Sequence, residues 1–144
     1  MQIRGKAVFV FDIEVFQNIF HCSVKDTETN TIYKFEISER KNQLRELVKF
    51  FKQVDKYITW GEYYTTTRQI ESNIIFCGYN NLHYDNPIIN YIIEYEDTLM
   101  NHNVFTICSS IFNLSKTIPT SKEDNIDAWK HCKYQIWFDT FDIL

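Results

Sequence analysis

The sequence has few residues that interrupt regular structure, with three glycines and two prolines among its 144 residues. Together with a charged fraction of 24%, this scarcity excludes a low-complexity linker or a disordered chain. Hydrophobic residues make up 44% and aromatic residues 17%, which is enough to bury one core. The composition therefore predicts a single globular domain over residues 1–144.

Long hydrophobic runs and clustered cysteines are also missing. The apolar run Ala7–Phe11 is far shorter than a membrane span, and the N-terminus lacks a signal-peptide pattern. The four cysteines form neither CxxC pairs nor a dense disulfide scaffold, so we expect a cytoplasmic protein with reduced thiols and no membrane partner. A remaining zinc alternative has spacing that matches no ligand pattern, and it involves His102, Cys108, His131 and Cys132.

The charge balance decides little about partners. A net charge of −4 argues weakly against binding nucleic acid by bulk charge, although an acidic cleft can coexist with a local basic strip. One predicted helix carries several basic residues on one side, and we interpret these as a solvated face rather than a phosphate contact. They are Lys41, Arg45, Lys49, Lys52 and Lys56.

Hydrophobic periodicity predicts alternating strands and helices. The predicted strands are Lys6–Val15, Ile19–Val24, Thr31–Ile37, Asn73–Gly78 and Tyr134–Asp139, with a hairpin turn at Lys25–Asn30. An amphipathic helix is expected between Lys41 and Val54, and a second helix starts at Asn86 and Pro87. We interpret Ile58–Ser72 as a loop or insertion, Leu99–Leu114 as helical in part and Ser115–Asp127 as a polar connection.

This order of elements predicts an α/β fold in which helices flank a mixed central sheet. It is the element order of the RNase H-like fold, without a last helix after the final strand. Because one fold serves many functions, the function has to come from motifs.

Asp12 and Glu14 lie two residues apart at the end of a strongly hydrophobic strand. A period of two directs both carboxylates to the same side, where they repel each other unless a cation binds or solvent reaches them. Mg²⁺ or Mn²⁺ suits such oxygen ligands, and two such ions about 4 Å apart can promote phosphodiester hydrolysis. The alternative is a strand end that turns into solvent, where acidic pairs are common.

Asp85 is the second candidate for this chemistry. It ends the segment Gly78–Asp85, which follows a buried strand and leads into a helix. A strand-to-helix junction of this kind often faces a cleft, so Asp85 is expected to join the first two carboxylates at the metal ions.

Two of these segments resemble motifs of the 3′-5′ proofreading exonuclease domains of DNA polymerases. The segment Phe11–Glu14 resembles the first motif, Asp-x-Glu, and Asn81–Asp85 resembles the second, Asn-x-x-(Phe/Tyr)-Asp. The longer segments Val10–Phe16 and Cys77–Asp85 are similar to those of phage-type B-family polymerases. Phe138–Thr140 also resembles a structural Phe-Asp-Thr sequence that many of these domains carry.

The resemblance implies a magnesium- or manganese-dependent enzyme that removes nucleotides from the 3′ end of single-stranded DNA during replication. It assigns metal binding to Asp12, Glu14 and Asp85, and places Glu14 near the attacking water. Asn81 and Tyr84 would hold the 3′ end of the DNA. Taken alone, Asn81 is equally consistent with a turn residue and Tyr84 with a core aromatic.

The sequence departs from this family in two respects. The third motif, Tyr-x-x-x-Asp or His-x-x-x-x-Asp, is not found after the Phe138–Thr140 strand, and Val15 stands where the family often has Thr. We favour an N-terminal portion of a longer or split polymerase, with a downstream segment or subunit as partner. The apolar end Trp137–Leu144 has no following element to cover it, which favours this interpretation.

Two alternatives remain open. The chain is a catalytically incomplete module that binds single-stranded DNA or a protein partner, or it is a phage interaction protein built on an exonuclease scaffold. Loss of cutting with retained DNA binding would indicate the first alternative. Tight binding to a host protein that survives mutation of Asp12, Glu14 and Asp85 together would indicate the second.

Overall fold

The computed structural model describes residues 2–3, 5–52, 74–78 and 84–118. Within these ranges the chain forms six strands and four helices. In chain order they are β1 (Gln2–Ile3), β2 (Lys6–Val15), β3 (Phe20–Asp26), β4 (Ile32–Ser38), β5 (Lys41–Asn42), α1 (Leu44–Phe51), β6 (Ile74–Cys77), α2 (Asp85–Glu94), α3 (Glu96–Met100) and α4 (Val104–Thr117).

The described strands form one mixed sheet. Its order is β1-β2-β3-β4-β5 with antiparallel neighbours, and β6 pairs with β2 in parallel. The register places Ile13 opposite Cys22 and Val10 opposite Cys77. Helices pack against this sheet, so the predicted α/β class with a mixed sheet flanked by helices is confirmed.

Successive side chains of β2 point to opposite faces of the sheet, as in any strand. Phe9, Phe11 and Ile13 are buried, whereas Asp12 and Glu14 between and beyond them are exposed. One face of the sheet therefore carries the core, and the other face carries the two carboxylates.

The core forms where three helices cover that apolar face. From α1, Phe51 packs edge-on against Phe11 with ring centroids 5.4 Å apart and lies 4.7 Å from the ring of Phe76. From α4, the Cys108 thiol donates to the carbonyl oxygen of Ile37 at 3.2 Å. The third helix, α2, contributes four fully or nearly fully buried isoleucines, Ile88, Ile89, Ile92 and Ile93.

The predicted hairpin turn between β3 and β4 is present, although β3 extends two residues further than expected. The carboxylate of Asp26 accepts from the backbone N–H of Glu28 at 2.9 Å, and this contact is the main reason why the pKa of Asp26 is lowered. Asn30 adopts a left-handed conformation with φ of 60°, which Asn tolerates better than most residues. Polar turn chemistry therefore sets the register of the two strands.

The predicted start of the first helix is wrong by three residues. Lys41 and Asn42 form β5 against the end of β4, and α1 begins only at Leu44. The Asn42 side chain accepts from the backbone N–H of Leu44 at 3.1 Å and so satisfies one donor of the first turn. Pairing with β4 thus overrides the helical periodicity, and the predicted extension to Val54 lies outside the described residues.

The second half of the described chain is more helical than expected. The partly helical stretch Leu99–Leu114 contains the end of α3 and most of α4, which begins where Asn103 accepts from the Thr106 N–H at 2.8 Å. The predicted polar connection starts too early, because α4 continues to Thr117. The predicted loop Ile58–Ser72, the strand Tyr134–Asp139 and the expected absence of a last helix lie outside the described residues.

The length and composition of a helix determine whether it can span a membrane. Among the residues placed by the structure, no helix is both long enough and apolar enough to cross a bilayer.

The packing around Phe51 generates a stability prediction. Because Phe51 is 2% exposed and contacts two core rings, Phe51→Ala should lower the free energy of unfolding by about 3–5 kcal/mol. Phe105, which is 56% exposed on α4, is the matched control, and Phe105→Ala should change it by less than about 0.5 kcal/mol. Urea unfolding followed by circular dichroism measures both, and equal losses in the two variants would contradict this description of the core.

Candidate functional site

Asp12 and Glu14 lie on the face of the sheet opposite the core, which we call the open face and which also carries Val10. Both are exposed, as is Val10 at 40% on the same side of β2. The strand has antiparallel β3 beside it along this whole stretch, with Asp12 opposite Ser23 and Glu14 opposite His21. The sheet therefore holds the two carboxylates on one side of a rigid strand, as the sequence predicts.

Strand β6 determines what else approaches this pair. It runs parallel to β2, and its pairing ends where Cys77 meets Val10, two residues before Asp12. The chain therefore leaves β6 at buried Gly78, beside the half of β2 that carries Asp12 and Glu14. Loops at the carboxyl ends of parallel strands commonly form the ligand sites of α/β sheets.

Asp85 occupies the first turn of the helix that follows β6. It is only 6% exposed and is the first residue of α2, one residue earlier than the sequence predicts. A carboxylate in the first turn is favoured by the partial positive charge of the helix N-terminus. Buried Ile88 and Ile89 fix this end of α2 against the sheet.

The pKa of one buried thiol depends on both Asp12 and Asp85. Cys22 is fully buried on β3, and burial raises its pKa well above the ordinary value. The charges of Asp85 and then Asp12 raise that pKa further.

The structure does not gather the three carboxylates into one cluster. Asp12 and Glu14 extend from the open face, whereas the apolar side of α2 packs on the opposite face. Within the described ranges, no group of three or more His, Cys, Asp or Glu residues is placed so that it could hold a metal ion.

Of the two residues expected to contact DNA, only Tyr84 lies among the described residues. Asn81 lies outside the described residues. Tyr84 immediately precedes α2, is half-buried and packs against the hydrophobic core, as the core-aromatic alternative for this residue expects. Of the zinc alternative, His102 is exposed and Cys108 is buried in α4, while His131 and Cys132 also fall outside the described ranges.

The register brings further polar residues onto the open face, and no sequence motif marks them. His21 lies between Glu14 on β2 and Glu36 on β4, and Ser23 lies between Asp12 and Lys34. Alternation along β3 and β4 predicts which side these residues take, but only the observed pairing identifies their neighbours.

Glu36 is held firmly at the β4 end of this face. Its carboxylate accepts two hydrogen bonds from the Arg40 guanidinium, both 2.7 Å long, and one from the Ser38 hydroxyl at 2.7 Å. These bonds, with smaller contributions from the charges of Arg40 and His21, lower the pKa of Glu36 to about 2. The residue is therefore ionised at neutral pH although its side chain is only 9% exposed.

The chemistry of Asp12, Glu14 and Asp85 suits a hard divalent cation. All three offer carboxylate oxygens, which are the donors that Mg²⁺ and Mn²⁺ prefer. The exposure of Asp12 and Glu14 leaves their oxygens accessible to an ion, whereas Asp85 is buried at the start of α2. The donor set therefore fits such an ion in type, although not as a closed cluster.

Comparison with known proteins identifies no relative. No protein-family model, no curated protein and no solved structure matches this chain. The sheet pairing and the flanking helices show a mixed α/β fold, and the resemblance to proofreading exonucleases rests on the two sequence motifs.

The hydrogen bonds of Glu36 predict how stability depends on pH. Because its folded pKa of about 2 lies below the ordinary value of 4.5, Glu36 stabilises the fold above pH 4.5. This contribution should disappear as the pH falls from 4.5 towards 2. Urea midpoints over this range measure the effect, and Glu36→Gln should flatten the acid decline.

The control for this prediction comes from the same turn. Glu39 is exposed, and it forms no ion pair within the described part of the chain. Glu39→Gln should leave the acid decline as in the parent protein. If Glu39→Gln and Glu36→Gln flatten it equally, the pH dependence does not arise from the Glu36 contacts.

Proposed function

We propose that this chain is the N-terminal part of a metal-dependent 3′-5′ exonuclease domain with an RNase H-like fold, belonging to a phage-type DNA polymerase. Its substrate is the 3′ end of single-stranded DNA, and its partner is a downstream polymerase segment or subunit. The two sequence motifs that contain Asp12, Glu14 and Asp85 motivate the proposal.

One structural observation supports it most strongly. Parallel pairing of β2 with β6 ends at Val10 and Cys77, so the chain that leads to Asp85 departs beside Asp12. The joint effect of Asp85 and Asp12 on the pKa of Cys22 agrees with this placement. The strand that precedes Asp85 in the chain therefore pairs with the strand that carries Asp12, as a shared site would require.

The order of the strands is compatible with the RNase H-like part of the proposal. An antiparallel run of β2, β3 and β4 is followed by α1 and then by β6 in parallel on the other side of β2. In this arrangement β2 is an interior strand as far as Val10, and its continuation through Asp12 and Glu14 stays paired with β3. Such a strand gives a rigid base for catalytic side chains.

Each residue has a role that follows from its position. Asp12 and Glu14, accessible on the open face, would bind the divalent ion together with Asp85 at the start of α2. When bound, the ion would lower the pKa of a water molecule and neutralise charge on the phosphate. Glu14 would orient the attacking water, and Tyr84 and Asn81 would hold the terminal nucleotide.

In this hydrolysis the water oxygen forms a bond to the terminal phosphorus as the bond from phosphorus to the 3′ oxygen breaks. A proton from water ends on that 3′ oxygen, so a mononucleotide leaves and the shortened strand keeps a 3′ hydroxyl. The chain's own contribution would be to hold Asp12 and Glu14 on one side of a rigid strand and Asp85 at the start of α2.

A second function has an observation in its favour. The described residues hold no cluster of three metal-binding side chains, and the sequence lacks the third exonuclease motif. A catalytically incomplete module that binds single-stranded DNA without cutting it is therefore the alternative. Ion binding and DNA cleavage have to be measured separately to distinguish the two.

The test uses the purified chain, alone and with any downstream segment encoded next to it. With Mg²⁺ or Mn²⁺, a 5′-labelled single-stranded oligonucleotide should shorten stepwise from its 3′ end. Asp12→Asn and Asp85→Asn should each slow this shortening by at least about a hundredfold, because each removes a charged ligand. Mn²⁺ binding, measured by electron paramagnetic resonance, should weaken in the same variants.

Asp97 provides the matched control. It is an exposed aspartate on α3, and its carboxylate accepts a hydrogen bond from the Arg45 guanidinium at 2.7 Å. Its partner therefore belongs to α1 and not to the open face. Asp97→Asn should cut and bind Mn²⁺ as the parent does. Absence of shortening in every mixture, with DNA still bound, would reject the exonuclease and leave the binding module.

A further inference from the structure

We propose that Lys25, Lys34 and Ser23 on the open face of the sheet form a phosphate-binding strip for single-stranded DNA. The strip would hold nucleotides upstream of the 3′ end that reaches Asp12 and Glu14. This inference rests on the proposed function, because it assigns the path of that substrate. It concerns residues outside both sequence motifs.

The strand register places the strip directly beside the carboxylates. Ser23 lies opposite Asp12 on one side and opposite Lys34 on the other, so these three residues form one row across β2, β3 and β4. Adjacent strands are about 4.8 Å apart, which places the Lys34 backbone about 10 Å from that of Asp12. An extended lysine side chain can cover much of that distance.

The next row contains the second lysine. Lys25 lies between Val10 on β2 and Ile32 on β4, two residues along β3 from Ser23. Both lysines therefore project from the same face as Asp12, on neighbouring strands. Successive phosphates of one strand would meet a hydroxyl donor and two ammonium groups along this path.

Among the residues that the structure describes, neither lysine forms an ion pair with an acidic side chain. The ion pairs within the described part of the chain involve Arg40 and Arg45, and no ion pair or hydrogen bond there includes the Lys25 or Lys34 side chain. Both residues are exposed. An unpaired ammonium group remains available to a phosphate, and binding releases the counterions that surround DNA.

The apolar neighbours favour a nucleic acid over a simple anion. Val10 is 40% exposed and Ile32 is 57% exposed, one on each side of Lys25. A nucleotide strand offers both a charged backbone and apolar base and sugar surfaces, so it can contact the lysines and these side chains together. A chain with a net charge of −4 also needs a local basic strip to attract DNA to its acidic site.

The experiment compares two double variants that lose the same charge. Lys25→Gln with Lys34→Gln removes the strip, while Lys49→Gln with Lys52→Gln removes two exposed lysines, one on α1 and one directly after it, on the other side of the sheet. Binding of a fluorescein-labelled oligothymidylate of twelve nucleotides is measured by anisotropy at several salt concentrations. A chelator is present, so neither cleavage nor metal binding contributes.

The strip variant should bind the oligonucleotide at least about tenfold more weakly at low salt, with the control close to the parent. The slope of log affinity against log salt should fall by about 1.4, because each lost phosphate contact on a single strand removes about 0.7. Equal slopes in the strip and control variants would overturn the proposal, as would no binding by the parent. Circular dichroism verifies that all variants are folded.

Two further readouts separate this inference from the proposed function. Lysine-dependent binding without cleavage under any condition would leave the strip intact and reject the exonuclease. Cleavage that is unaffected in the strip variant would support the exonuclease and overturn the strip. Poly-glutamate of the same length that competes as well as the oligonucleotide would show an acidic protein surface as the partner and also overturn it.

Discussion

The pairing of β2 on both sides is the constraint on which the rest of the structure depends. Strand β6 pairs with it as far as Val10 and β3 as far as Val15, so its period of two sends Phe9, Phe11 and Ile13 to one face and Asp12 and Glu14 to the other. The helices pack on the aromatic face through rings such as that of Phe51. The same separation leaves the carboxylates in solvent, where their mutual repulsion is screened and an ion can reach them.

Most of the strands could be predicted from the sequence, because their hydrophobic runs and the polar turn around Asp26 are local signals. The start of α1 could not, since Lys41 and Asn42 are typical of the polar start of a helix but pair with the end of β4. That pairing depends on a contact formed only after the sheet exists. The two-residue strand β1 is too short to leave any pattern, and α4 mixes serine, threonine and asparagine with its apolar residues, which obscures its helical period.

The candidate site likewise combines placements that the sequence predicts with placements that it does not. Alternation along β2 is sufficient to place Asp12 and Glu14 on one face, and the structure agrees. The approach of Asp85 depends on which strand β6 joins and in which direction, and no local pattern encodes that choice. His21, Ser23 and Lys34 become neighbours of the carboxylates only through the register that the hairpin turn fixes. Nonlocal pairing, rather than propensity, therefore decides the composition of this face.

The outer side of β4 has a consequence for how the protein behaves at high concentration. Strand β5 pairs with β4 only at Ile37 and Ser38, so within the described residues the stretch from Ile32 to Phe35 has no strand beyond it. An open edge of this kind is a template for another chain, and natural sheets often place lysine there to discourage edge-to-edge assembly. Lys34 occupies that position. Its charge therefore also acts as a gatekeeper against aggregation, and a neutral residue at this site would shift the balance from solubility towards β-sheet association.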